Sequence, residues 1–171
     1  MRPGPLALTL GDPAGIGPEI VVKAWRALRE TGPAFFVIGD AQSVASAPTT
    51  GAGVVRTISS PDEAAAAFAT AIPVLDLPLR APVVVGQPTP DAAAAIIRWI
   101  ETAVGLALSG TVAGVVTAPI SKAPLYAAGF RFPGHTEFLG ELTAAASFDG
   151  ARGPIMMLTA GGFVAAGDLA L

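Results

Sequence analysis

The sequence of 171 residues contains no cysteine and few charged residues. The absence of cysteine excludes a disulfide framework and thiolate chemistry, and it fits a cytoplasmic protein. Charged residues make up only 13% of the chain and the formal net charge is -3, which argues against a nucleic-acid-binding surface. Histidine occurs only once, as His135.

Apolar residues are abundant. They make up 52% of the chain, and the mean hydropathy is +0.62. This amount suffices for a core and suggests that a second domain or a subunit covers part of the surface. The segment 102–121 carries no charge, but Gly105, Gly110, Gly114 and Pro119 interrupt it. We therefore do not expect it to span a membrane.

The apolar pattern predicts alternating strands and helices. Strands are predicted at 6–10, 35–38, 54–58, 72–75 and 112–116, and a closing pair at 154–158 and 163–166. Helices are predicted at 18–29, after Asp40 as N-cap, after Ser60, at 89–108 and at 136–145. This alternation is typical of an α/β layered fold with a mostly parallel sheet, to which the closing pair would add an antiparallel edge. We expect one α/β unit over 1–171.

Two helices have a predicted inward face. In the first helix the inward residues would be Ile20, Ala24 and Ala27. The 89–108 helix has an apolar stripe of five residues: Ile96, Ile97, Ile100, Val104 and Leu108.

Polar side chains gather after the strand at 112–116. Thr117, Ser121 and Lys122 follow this strand, and His135 and Thr136 come after a Gly/Pro turn. Ligands in open α/β sheets bind beyond the carboxyl ends of strands, so a site is expected here. Lys122 would suit a phosphate or carboxylate, and His135 could accept a proton or hydrogen-bond an anionic substrate.

Each of these residues also has a purely structural interpretation. His135 would cap a helix or satisfy a turn, Thr136 would be the N-cap of the helix through 145, and Lys122 would be a solvated charge. Asp12 lies in a glycine-rich turn between a strand and a helix, where it would bind a substrate amine or hydroxyl, or stabilise the turn. The glycine spacing of this turn is not the dinucleotide fingerprint.

Three segments together carry a family resemblance. They are 8–19 (Leu-Thr-Leu-Gly-Asp-Pro-Ala-Gly-Ile-Gly-Pro-Glu), 117–122 (Thr-Ala-Pro-Ile-Ser-Lys) and 133–138 (Pro-Gly-His-Thr-Glu-Phe), with Ala-Gly-Phe at 128–130 between the last two. In this order they resemble the 4-hydroxythreonine-4-phosphate dehydrogenase family of pyridoxal phosphate biosynthesis. The resemblance covers about the first half of that family's usual length.

The resemblance implies a fold like that of isocitrate and isopropylmalate dehydrogenases, and a homodimer. It implies NAD(P)-dependent oxidation of a phosphorylated hydroxy amino acid, followed by decarboxylation, with a divalent metal (zinc, magnesium or cobalt) as Lewis acid. His135 and Thr136 would bind substrate. The family's metal ligands are three histidines, the first in a Thr-His-Leu-Pro-Leu segment. The end of this chain, 167–171, aligns with that segment, so that Asp168 would stand at the first ligand's position. Alternatively, Asp168 lies in an exposed, frayed tail and binds no metal.

The missing histidines leave several interpretations open. The chain would be a truncated family member that is weakly active or inactive alone, with the cofactor cleft incomplete. Alternatively, it belongs to a dehydrogenase of a related phosphorylated hydroxy acid, such as threonate or erythronate 4-phosphate. A third interpretation is a non-catalytic remnant that binds a small molecule or pairs with a full-length subunit. A phosphotransacetylase-like acyl transferase shares the general fold, but no specific residue here supports it.

Overall fold

The computed structural model describes residues 4–48, 51, 54–147, 155–160 and 163–168. These residues form two compact units, 1–130 and 131–171. That 1–171 forms a single α/β unit stays a prediction.

The first unit is built on a five-stranded parallel sheet. Its strands are β1 (Leu6–Thr9), β2 (Phe35–Gly39), β3 (Val55–Ile58), β4 (Ile72–Asp76) and β5 (Gly114–Thr117). The strand order is β3-β4-β2-β1-β5, and every pairing is parallel. Because both faces of a parallel sheet are covered, β2 reads as a continuous apolar run, and all five of its residues are buried. The predicted α/β fold with a mostly parallel sheet is confirmed.

Five helices accompany this sheet: α1 (Gly17–Leu28), α2 (Ala41–Ala45), α3 (Ala64–Phe68), α4 (Ala93–Leu108) and α5 (Lys122–Ala127). Short 3-10 turns at Pro61–Glu63 and Pro90–Ala92 lead into α3 and α4. Asp40 caps α2 as predicted, because its Oδ2 accepts the Ser43 N–H at 2.7 Å. Ser60 and Glu63 form a capping box at the first of the 3-10 turns.

The predicted inward face of α1 is wrong. Ile20 and Ala27 are exposed and Ala24 is half-buried. The buried face carries Pro18, Val21, Val22 and Trp25 instead. These residues follow the i, i+3, i+4, i+7 spacing of one helix face, and the large Trp25 ring decides which face turns inward. The Trp25 Nε1–H donates to the Phe68 carbonyl at 2.7 Å, which fixes that orientation.

The predicted stripe of α4 is confirmed at its centre and wrong at its end. Ile96, Ile100 and Val104 are buried, whereas Leu108 is 53% exposed. Trp99 is fully buried, and its Nε1–H donates to the Leu77 carbonyl at 2.9 Å. Leu108 lies in the last turn of α4, next to the exposed residues that end the helix.

The second unit contains α6 (His135–Leu142) and an antiparallel pair, β6 (Ile155–Ala160) and β7 (Phe163–Asp168). The strand pair was predicted to add an edge to the parallel sheet, and this is wrong: it forms a separate two-stranded sheet. The six residues of each strand pair in one continuous register, from Ile155 with Asp168 to Ala160 with Phe163.

Thr136 is not the N-cap of α6. Gly134 takes that position with an extended backbone (φ -174°), so the helix begins at His135 and places Thr136 inside its first turn. The helix ends at Leu142 rather than at 145.

No helix in the described ranges is long and apolar enough to cross a membrane. The charge-free segment 102–121 instead contains the end of α4, a turn and the whole of β5.

Candidate functional site

The loops that follow β1 and β5 are joined to each other at the carboxyl edge of the sheet. The Asp12 N–H donates to the Pro119 carbonyl at 2.9 Å, and the Ala118 N–H donates to the Thr9 carbonyl at 3.2 Å. Gly11 has a φ of 73°, and a Cβ at this position would lie 2.4 Å from the Pro119 oxygen. Only glycine allows both this conformation and this approach. The sheet edge therefore holds the two loops as one structure.

Asp12 is buried where the β1 and β5 loops meet, and it stabilises the turn. It is 5% exposed, its Oδ1 accepts the Ala14 N–H at 2.9 Å, and its carbonyl accepts the Gly15 N–H at 3.0 Å. A side-chain oxygen that accepts the N–H two residues later is an Asx turn. These contacts favour the structural interpretation of Asp12, and substrate binding by its carboxylate stays a prediction.

The glycines of the 11–17 turn contact protein atoms rather than open space. A Cβ at Gly17 would lie 2.1 Å from the Leu10 oxygen, and a Cβ at Gly15 would lie 3.5 Å from the Asp12 Cβ. A phosphate cradle needs glycines whose missing side chains leave room for the ligand. The 11–17 turn therefore does not fit the phosphates of a dinucleotide cofactor, because protein atoms already fill the space beside its glycines.

Lys122 is the first residue of α5, and its side chain is exposed. The structure assigns it no ion pair within the described residues. A cation at a helix N-terminus is unfavourable because it faces the positive end of the helix dipole. Helix stability therefore does not account for a lysine here, and the contact with a phosphate or carboxylate stays a prediction.

Thr9 was not predicted as a site residue, although its carbonyl takes part in the contact between the β1 and β5 loops. It is 1% exposed, and its Oγ1 has no hydrogen-bond partner among the described residues. Burying a hydroxyl without a partner costs free energy. The sequence gives no signal for this, because threonine is an ordinary strand residue.

Thr9→Val is expected to raise the free energy of unfolding by about 1 kcal/mol, since it removes the unsatisfied hydroxyl and keeps the branched shape. Chemical denaturation measures the change. Thr117→Val is the matched control, because Thr117 pairs with Thr9 in the β1–β5 register but is half-buried. A clear loss of stability in Thr9→Val would instead show that the hydroxyl has a partner in solution.

In the second unit, His135 and Thr136 are the first two residues of α6. The turn before this helix is held by an aromatic contact, because the Phe132 and Phe138 rings lie 5.1 Å apart across it. Phe138 is 5% exposed, and its N–H donates to the Gly134 carbonyl at 3.3 Å. Glu137 adds a carboxylate to the first turn, where it is favourable for the dipole. The Phe132–Phe138 contact thus packs the segment before His135 and Thr136 against the helix that they begin.

Asp168 is the last residue of β7, paired with Ile155 of β6. Only the backbone pairing of Asp168 is described by the structure. Within the described residues, no group of three histidine, cysteine, aspartate or glutamate side chains is arranged to hold a metal ion. These residues therefore do not fit a metal centre by themselves, and Asp168 as a ligand stays a prediction.

The chain matches known proteins over most of its length. The family described as "Pyridoxal phosphate biosynthetic protein PdxA" matches residues 32–166. The chain belongs to the PdxA family. A 4-hydroxythreonine-4-phosphate dehydrogenase from Caulobacter vibrioides is 67% identical over 162 residues, which are 94% of this chain and 48% of that protein. The chain thus spans about half the length of the curated relatives it matches.

Solved structures agree with this assignment. A 4-hydroxythreonine-4-phosphate dehydrogenase from Burkholderia phymatum is 32% identical, with a TM-score of 0.77, over 97% of this chain and 49% of that one. A terephthalate 1,2-cis-dihydrodiol dehydrogenase from Burkholderia xenovorans is 30% identical, with a TM-score of 0.60, over 81% and 41% of the two chains. The PdxA family has the isocitrate/isopropylmalate dehydrogenase-like fold, and the expectation from the sequence is confirmed.

The predicted site residues fall into two groups, one in each unit. Asp12 and the loop that leads to Lys122 are joined in the first unit, and His135 and Thr136 are neighbours in the second unit. That the two groups bind one substrate stays a prediction.

Proposed function

We propose that this chain takes part in the oxidation of 4-phosphohydroxy-L-threonine in pyridoxal phosphate biosynthesis. The observation that supports this most is the Gly-His-Thr-Glu-Phe segment, which folds as the start of α6 in a chain 67% identical to a relative of that name. NAD(P) as oxidant, a divalent metal, a homodimer and a cytoplasmic location belong to the same proposal. Because the chain spans about half of its relatives' length, we expect little or no turnover by the chain alone.

The chain's own residues would bind and orient the substrate. His135 offers a ring nitrogen that can donate or accept a hydrogen bond, and Thr136 offers a hydroxyl that can do both. Lys122 offers a point charge for a phosphate or carboxylate. The described residues fit neither a metal centre nor a dinucleotide cradle, so no step is assigned to either group.

Ligand binding tests this role separately from turnover. We expect 4-phosphohydroxy-L-threonine, at about 100 times its Kd, to raise the melting temperature of the chain by roughly 5–10 °C, since it binds only the native state. The measurement is thermal unfolding with and without the ligand, and with zinc or magnesium added. His135→Ala is expected to abolish the shift.

Glu141→Gln is the matched control, because Glu141 lies on α6 and is exposed. It should melt with the same ligand shift as the unchanged chain. A ligand shift that survives His135→Ala would contradict the assignment of His135 to substrate. Metal-dependent reduction of NAD by the chain alone would contradict the expectation that it is inactive.

A second candidate is oxidation of a different hydroxylated substrate. It is favoured by the likeness to a solved structure named for a terephthalate dihydrodiol. A terephthalate cis-dihydrodiol, threonate 4-phosphate and erythronate 4-phosphate in the same melting experiment distinguish the candidates: the ligand that is the substrate should give the largest shift at equal concentration. A chain stabilised by all of these ligands without turnover would instead be the non-catalytic binding form.

A further inference from the structure

The last residues of β1 and β5 are both threonines, and they stand side by side. Thr9 pairs with Thr117 in the parallel register of these two strands. Paired residues of neighbouring strands point to the same face of a sheet, and the strands lie about 4.8 Å apart. The two hydroxyls therefore form a pair at the carboxyl edge of the sheet.

This pair lies at a point where the connections of neighbouring strands diverge. The chain leaves β1 towards β2 on one side, whereas β5 lies on the other side of β1 and leads into α5. Open α/β sheets bind ligands beyond the carboxyl ends of strands at such switch points. The position of the Thr9–Thr117 pair thus favours a role in binding.

The two hydroxyls differ in their access to a ligand. Strand β1 lies between β2 and β5, and Thr9 is 1% exposed. Strand β5 is at the edge of the sheet, and Thr117 is half-buried. A ligand can therefore contact Thr117, whereas Thr9 lies on the inner side of the pair and can act only through its neighbour.

Neither hydroxyl has a hydrogen-bond partner among the residues that the structure describes. For Thr9 this is unfavourable, because a buried hydroxyl without a partner costs free energy. Proteins retain such a cost mainly where their activity requires it. The orphaned hydroxyl of Thr9 therefore indicates a functional role rather than a role in stability.

The loop that follows Thr117 ends in two more polar side chains that make no contact. Ser121 is the N-cap of α5, but its side chain forms no capping hydrogen bond. Lys122 comes next and is exposed, without an ion pair in the described ranges. Two hydroxyl donors and an ammonium group on one loop are complementary to an oxyanion.

One carboxylate belongs to the loop that is joined to this one. The Asp12 N–H donates to the Pro119 carbonyl at 2.9 Å. The carboxylate itself is turned to its own turn, where Oδ1 accepts the Ala14 N–H at 2.9 Å, and Asp12 is 5% exposed. Lys122, by contrast, is exposed, so the charge that these two loops present to a ligand is positive.

We propose that the hydroxyls of Thr117 and Ser121 and the ammonium group of Lys122 bind one oxyanion group of the ligand. Thr9 is then the positioning residue of Thr117. In the bound state Thr117 donates its hydroxyl hydrogen to the oxyanion and accepts the hydroxyl hydrogen of Thr9. A hydroxyl that accepts a hydrogen bond is a stronger donor, and Thr9 gains its missing partner. This site rests on the proposed function for the identity of its ligand, whose phosphate or carboxylate is the oxyanion.

Titration of the whole chain, followed by amide NMR signals, tests the binding part with three probes: inorganic phosphate, acetate and 4-phosphohydroxy-L-threonine. We expect the amides of 117–122 to shift saturably with phosphate or acetate, and the one with the lower Kd identifies the oxyanion. Thr117→Val and Lys122→Gln should each raise that Kd about tenfold. Thr57→Val is the matched control, because Thr57 is an exposed threonine of β3, at the opposite edge of the sheet.

Two substitutions of Thr9 separate positioning from packing. Thr9→Val should raise the Kd about threefold or more although it stabilises the free chain, whereas a purely structural hydroxyl would leave the Kd unchanged. Thr9→Ser keeps the hydroxyl and should bind within about twofold of the unchanged chain. In a Thr117→Val background, Thr9→Val should have no further effect, because Thr9 acts through Thr117.

The proposal is overturned if neither phosphate nor acetate shifts the amides of 117–122, or if Thr117→Val and Thr57→Val raise the Kd equally. An unchanged Kd in Thr9→Val, or an effect that persists in the Thr117→Val background, overturns the positioning role. The proposed function fails separately. Phosphate or acetate that saturates the loop, with 4-phosphohydroxy-L-threonine binding no more tightly, would support the oxyanion site and contradict the substrate.

Discussion

Gly11→Ala is expected to lower the free energy of unfolding by about 3 kcal/mol, the sum of a backbone penalty and a steric one. Gly11 has a φ of 73°, where an alanine costs about 1–2 kcal/mol. The new Cβ would also lie 2.4 Å from the Pro119 oxygen and 2.9 Å from Ala118, which are backbone atoms and cannot rotate away. The β1 and β5 loops would have to separate. Chemical denaturation of the variant measures the loss.

Two other glycines separate the backbone penalty of Gly11→Ala from its steric penalty. Gly110 has nearly the same φ, 74°, and nothing within 4 Å of a Cβ, so Gly110→Ala should cost only the backbone penalty. Gly105 lies inside α4 with open space around it. Gly105→Ala should therefore stabilise the chain by about 0.5–1 kcal/mol through helix propensity. If Gly11→Ala costs no more than Gly110→Ala, the loops do not meet as closely as described.

Trp99→Ala is expected to cost about 3–5 kcal/mol, the usual loss for a large buried aromatic residue. The Trp99 ring is fully buried on α4, and its Nε1–H bonds to the Leu77 carbonyl at 2.9 Å. The replacement leaves a cavity in the core and a carbonyl without its donor. The urea midpoint of unfolding should fall accordingly.

Trp99→Phe tests the hydrogen bond more selectively, because most of the ring remains. We expect a loss of about 1–2 kcal/mol and faster amide hydrogen exchange around Leu77. Trp25→Phe is the comparison, since Trp25 bonds to the Phe68 carbonyl instead. Exchange around Leu77 should be unchanged in that variant. Equal effects of both variants on segment 77–86 would show that Trp99 does not hold it.

The sequence predicted the sheet well because most of its strands are short apolar runs bounded by glycine, proline or polar residues. Strands β1 and β2 and the first three residues of β4 are largely buried and follow such runs closely. Their alternation with helices is enough to predict a parallel sheet. The N-cap Asp40 was also predictable, because capping is local chemistry.

The failures have different physical causes. In α1 the buried stripe at Pro18, Val21, Val22 and Trp25 has regular helical spacing, and the prediction failed because it placed Ile20 instead of the large Trp25 ring on the inward face. Whether β6 and β7 join the larger sheet depends on partner strands, which a hydropathy pattern does not encode. The start of α6 at His135 depends on the extended backbone of Gly134.

The same distinction applies to the candidate site. His135, Thr136 and Lys122 could be proposed because polar residues follow a strand at short spacing, and the family resemblance gave them roles. Thr9 could not be proposed from the sequence. A buried hydroxyl is visible only once its neighbours are placed.

The position of β1 in the sheet affects how the chain folds during its synthesis. Leu6 pairs with Phe35 on one side and with Gly114 on the other. During synthesis β1 and β2 leave the ribosome early, whereas β5 emerges only after α4 is complete. One edge of β1 therefore stays open until β5, Gly114–Thr117, has been made, and its closure requires a long loop. We expect this late pairing to limit the folding rate and to make the nascent chain most prone to aggregation just before β5 arrives.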